Sequence, residues 1–164
     1  MVTPPVSAAA SRLGEALGGE IGKIRQFVDL LKREQALLQQ GEADALLPVI
    51  DNKNQIASEL GNYAAEREHE LARLGLSGGR IGMEAWLNTY GKPAYQQDWQ
   101  ALLTLAAEAR ELNVVNGKLI GLHMSHNQQA FSALMSASNR AMTYGPDGQQ
   151  QGGIGSGGRI LGTA

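Results

Sequence analysis

Cysteine is absent from the 164 residues, which excludes disulfide scaffolds, thiolate metal sites and cysteine nucleophiles. Aromatic residues are scarce, at 5%, and charged residues reach only 18%, against about 25% in an average domain. Net charge is −2, from 14 basic and 16 acidic residues. No basic stretch interleaved with aromatics marks a nucleic-acid footprint. No apolar run approaches the ~18 residues of a membrane span. The N-terminal stretch has neither the basic start nor the apolar core of a secretory signal, so the expected compartment is the cytoplasm. Alternating β-rich stretches are missing too. Glycine is abundant for a chain that reads as helix, with 21 residues.

The glycines are clustered. Gly14, Gly18, Gly19 and Gly22 form one group, Gly75 to Gly91 hold a second, and eight fall between Gly145 and Ala164. They punctuate long glycine-poor segments. Between them, apolar residues recur in steps of three and four. One stripe runs Ile21, Ile24, Val28, Leu31, Gln35, Leu38. A second runs from Leu46 through Ile50, Lys53, Ala57, Leu60, Ala64 and Arg67 to Leu71 and Leu74, with Lys53 and Arg67 in seam positions. A third runs from Trp99 through Asn113, Asn116, Ile120, His123, Asn127 and Leu134 to Ala141.

The expected fold is all-α: an antiparallel helical hairpin joined at Gly41, plus a long third helix, in an elongated coiled-coil-like bundle. Asp44 suits the N-cap of the second helix, expected over 44–74. Residues 75–93 read as a joint with a short helical piece, Met83 to Tyr90. Pro93 suits the start of the long helix, expected over 94–143. Residues 1–20 read as an N-terminal extension, partly helical or flexible, since Gly18 and Gly19 weaken a helix. Residues 21–144 form the helical domain, and 145–164 a disordered glycine-rich tail. A helix of that length spans roughly 75 Å, against roughly 45 Å for its neighbour. Its residues from about Met124 onward then overhang the hairpin. The alternative is a break near Asn116 and Gly117 that folds the helix back.

Catalytic and metal chemistry finds little support. His123 and His126 share a helix at a spacing of three, and Glu66 and His69 form one Glu-x-x-His pair, where a di-iron bundle needs two such pairs and two further glutamates. The charge run Glu66 to Glu70 reads more simply as a solvated face. The glycines after Gly152 follow no strand and open no helix, so they are no phosphate cradle. No cofactor or metal is expected. Gly117 and Gly121 suit close packing of helices. The amides Asn113, Asn116, Asn127, Gln128, Gln129 and Asn139 suit either register control in a bundle or hydrogen bonds to a partner. Tyr144, with Gly-Pro-Asp-Gly behind it, ends the helix and has the character of an aromatic anchor.

Several of these residues resemble the FlgN family of flagellar export chaperones. The resemblance is carried by Arg110-Glu-Leu-Asn113, Asn116-Gly117, Leu119-Ile120, Asn127-Gln-Gln-Ala130, Leu134, and Tyr144-Gly-Pro-Asp-Gly-Gln149. Looser agreement lies at Leu31, Glu34, Leu38, Gly41, Asp44, Leu47, Ile50, Lys53, Leu60 and Arg67. It covers roughly 21–149, with the stretch before Ile21 and the tail after Gln149 read as departures. The resemblance implies a non-enzymatic chaperone that binds hook-associated junction proteins in the cytoplasm. It would deliver them to the flagellar type III export gate at the inner membrane. It also implies docking to the cytoplasmic domain of the gate protein FlhA through Tyr144, Gly145 and Asp147, and a link to the export-ATPase component FliJ. Substrate contacts are expected at Leu112, Asn113, Asn116, Leu119, Ile120, Asn127, Gln128, Phe131, Leu134 and Met135. The competing readings are a structural coiled-coil adaptor of a secretion apparatus and a metal-binding four-helix enzyme.

Overall fold

A computed structural model describes residues 4–143, and the side chains of residues 8–139. The described residues form four helices: α1 (Pro4–Gln40), α2 (Ala43–Arg73), α3 (Gly79–Tyr90) and α4 (Pro93–Thr143). The all-α expectation holds, and α4 runs unbroken through Asn116 and Gly117. Two compact units divide the chain, one to Gly121 and one from Leu122.

α1 starts at Pro4, not near Ile21. Burial explains why the early glycines do not break it. Leu13 and Leu17 are buried in the same cluster as Ile21 and Ile24, so packing outweighs roughly 1 kcal/mol of lost propensity per glycine. Two of the glycines are packing slots. A Cβ at Gly14 would collide with the Tyr95 ring, and one at Gly19 would lie 2.8 Å from the Tyr63 ring.

Gly41 turns α1 into α2 with φ +72°, a left-handed conformation that an L side chain strains to adopt. The amide of Glu42 donates to the carbonyl of Leu37 at 3.0 Å, closing the α1 C-terminus. The N-cap of α2 is Glu42 rather than Asp44, which falls in the first turn, where its charge favours the positive end of the helix dipole. Gly75, also at positive φ, closes α2 in the same way, the amide of Leu76 donating to the carbonyl of Leu71 at 3.0 Å. The Glu68 carboxylate then accepts the amide of Gly79 at 3.0 Å, covering an open donor at the start of α3.

In the first unit, early α1 residues pair with late α2 residues. Arg12 meets Glu70, Arg67 meets Glu20, and Lys53 meets Glu34, so the two helices are antiparallel. α4 runs the other way against α1, parallel to it. Tyr95 lies at Gly14, Glu108 binds Lys32 at 2.7 Å, and Asn116 binds Leu31 and Glu34. One apolar cluster joins Leu13 and Leu17 of α1, Leu71 of α2, Met83 and Trp86 of α3 and Trp99 and Leu102 of α4. Trp86 stacks on Tyr95 with ring centroids 5.2 Å apart. A second cluster holds Val28, Leu31 and Ala109, with Leu112 packed against it.

The charged seam positions each meet an acid on α1. Lys53 donates to Glu34 at 2.7 Å. Arg67 donates to Glu20 and lies 5.8 Å from the Trp99 ring centroid. Glu70, also buried, accepts from Arg12 and Arg73, both at 3.2 Å. Burial pushes the Glu70 carboxyl up, but the hydrogen bonds and charges of the two arginines outweigh it and hold the carboxyl below its ordinary value. A carboxyl depressed by folding contributes stability above its ordinary value and loses it as pH falls through the folded value. Acid unfolding followed by circular dichroism should therefore steepen below about pH 4.5, the ordinary carboxylate value. Glu70→Gln should flatten that slope.

Candidate functional site

The expected contact residues separate into two sets, and each belongs to one unit. In the first unit, Leu112 is half-buried and packs on the second apolar cluster. Asn113 is exposed, Leu119 is half-buried, and Ile120 is exposed. Asn116 is 1% exposed. Its amide donates to the carbonyl of Leu31 at 2.9 Å and to Glu34 at 2.8 Å. Of the two readings of this amide, the structure supports register control: the side chain is committed to α1 and is not offered to a partner.

The remaining described residues lie in the second unit. Every residue from Leu122 to Asn139 is exposed. Asn127 and Gln128 are among them, and so are Phe131, Leu134 and Met135, at 64, 68 and 46%. Leu122 and Met124 are exposed as well, at 57 and 67%. At 100° per residue, Met124, Phe131, Leu134 and Met135 fall within an arc of about 100°. They form one apolar stripe with Asn127 and Gln128 among them. Residues 119–139 contain no Lys, Arg, Asp or Glu. The stripe is therefore a large apolar face without ionic character, and such faces mark interaction sites. His123 and His126 share this helix, but among the described residues no group of three metal-ligating side chains converges.

Gly117 and Gly121 do not mediate close packing. A Cβ at either would meet nothing within 4 Å. The expectation came from their spacing of four, which gives a shared face but not a neighbour on it. Tyr144, Gly145 and Asp147 lie outside the described residues. The residue that sequence reasoning undervalued is Glu34. It sits at the crossing of three helices, bound to Lys53 of α2 and Asn116 of α4. Lys53 in an apolar seam was the signal that a buried acid stood opposite.

A different concave surface is a groove between α1 and α2, floored by Leu30 and Ile56 and flanked by the Lys23–Glu59 ion pair. Its hydrogen bond to Glu59 raises the Lys23 ammonium, and the bond to Lys23 holds the Glu59 carboxyl down. The two charges compensate each other across the groove.

Fold and surface together define an all-α protein that presents an uncharged apolar helix face, with no described helix long and apolar enough to cross a membrane. The chain belongs to the FlgN family: the family model described as FlgN protein matches residues 1–152. The match includes the stretch before Ile21, which is thus no departure from the family. Its core residues Leu13 and Leu17 agree with that. The flagella synthesis protein FlgN of Yersinia enterocolitica is 28% identical over 143 residues, covering 86% of this chain and 90% of that protein. That of Proteus mirabilis is 26% identical over 142 residues, covering 85% and 90%. No solved structure gives a significant match.

Proposed function

We propose that this chain is a flagellar export chaperone. It binds hook-associated junction proteins in the cytoplasm, prevents their premature assembly or degradation, and delivers them to the type III export gate at the inner membrane. Family membership supports the flagellar setting. The observation that carries the binding reading is the exposed stripe Met124, Phe131, Leu134 and Met135. An amphipathic helix of a substrate would lay its own apolar residues against it at i, i+3 and i+4 spacing. The methionines adapt in shape, which suits more than one related substrate. Asn127 and Gln128 would supply hydrogen bonds, and Ile120, Leu119 and Asn113 belong to the same proposal. No catalytic group, metal or cofactor takes part.

Co-purification of the full chain with hook-associated proteins tests this reading. A folded chain that retains none of them overturns it. Docking to the FlhA cytoplasmic domain is assigned to Tyr144, Gly145 and Asp147, with FliJ as a further partner. Tyr144→Ala should leave substrate affinity near normal and weaken capture of the loaded complex by FlhA about tenfold or more, as expected for loss of an aromatic anchor. Binding titrations with each partner check it. Equal loss towards both would remove Tyr144 from this role.

A further inference from the structure

From Met124 to Met135 the second unit carries a short stretch of heptad pattern. Written as a heptad abcdefg, Met124 and Phe131 take d, while Gln128 and Met135 take a. Ser125 and Ser132 take e, while Asn127 and Leu134 take g. All eight are exposed. We propose that this helix pairs with the same helix of a second copy of the chain, parallel and in register, across a two-fold axis.

Two observations select that occupant. The first is charge. Positions e and g often carry the Lys and Glu whose salt bridges set partner choice. Here they are serine, asparagine and leucine, and residues 119–139 contain no Lys, Arg, Asp or Glu. A second copy meets no repulsion, and a strand with charged flanks finds nothing to pair with. The second is Gln128 in the middle of the seam. A buried amide opposite an apolar residue is left without a partner, which disfavours that pairing. In the parallel, in-register dimer it faces the amide of its own symmetry mate and both are satisfied. An amide at a is a known device for setting register and strand number. Asn127 at g then lies beside Ser132 at e of the other copy, so the flanks are polar but neutral.

The pairing is reversible by construction. From Leu122 to Thr143 the helix is about 33 Å long, at 1.5 Å per residue. The apolar seam from Met124 to Met135 fills under two heptads of it, shorter than the three to four of a stable coiled coil. The same stripe is then covered in the free protein and opened when a partner helix replaces the second copy.

Sedimentation equilibrium of the full chain tests the pairing without any substrate, so its failure and failure of the export reading are distinguishable. The average mass of the wild-type chain should rise with concentration from 17.4 kDa towards twice that value. Asn127→Lys with Ser132→Lys places like charges face to face and should weaken self-association about tenfold. Asn127→Glu with Ser132→Glu should do the same, and mixing the two variants should restore dimers. A wild-type chain that stays at its single-chain mass at every concentration overturns the proposal. So does a pair of variants that each self-associate as the wild type does, or a mixture that forms no dimers.

Discussion

Glu34→Ala should lower the unfolding free energy by about 3–5 kcal/mol, the range for removing one partner of a buried ion pair. Glu34 is 1% exposed and holds two groups on two other helices. Its loss leaves the Lys53 ammonium, largely covered at 17% side-chain exposure, without a counter-charge. It also takes one of the two acceptors from the Asn116 amide. Urea unfolding of the variant, followed by circular dichroism, measures the effect. A loss near that of an ordinary surface carboxylate, under about 1 kcal/mol, would show that the hub does not hold the three helices. Replacing Glu34 and Lys53 together by Met should recover much of the loss, because an apolar pair of similar volume costs no desolvation.

Leu134→Asp should reduce affinity for a hook-associated substrate at least tenfold and leave the stability of the free chain nearly unchanged. The two halves of that expectation have one cause. Leu134 is 68% exposed in the single chain, so aspartate there meets water in the monomer. In the complex it would meet an apolar contact and be desolvated without a partner. Calorimetric titration with a substrate and thermal unfolding of the free variant read the two halves separately. Unfolding of the free variant would place Leu134 in a core of the protein itself and remove it from the contact surface.

The two variants differ in what the sequence could say about them. The step of three and four that made α1, α2 and α4 legible follows from the helix period, which is local. So do the turns, because Gly41 and Gly75 supply a conformation that other residues resist. Leu134 was likewise legible as a member of the third stripe, and Phe131 and Met135 as expected contacts. Glu34 was not. Nothing in its neighbours along the chain distinguishes it from a solvated glutamate, and its burial depends on Lys53 and Asn116, nineteen and 82 residues away. The same holds for Gly14 and Gly19. In sequence they are helix breakers, and only the rings of Tyr95 and Tyr63 turn them into packing slots. Gly117 and Gly121 fail in the opposite sense: spacing suggested a neighbour, and open space stands there.

By itself, the sequence determined the helical class, the places where the chain turns, and the uncharged character of residues 119–139. Each is a property of composition or of short-range period. Tertiary structure alone decided which members of the periodic stripes are core and which are surface. Asn116 and Asn127 recur in one stripe of one helix. Asn116 is buried against α1 because Glu34 and Leu31 stand opposite it. Asn127 stays exposed. Burial requires a second surface, and the period of one helix carries no record of which of its residues meet one.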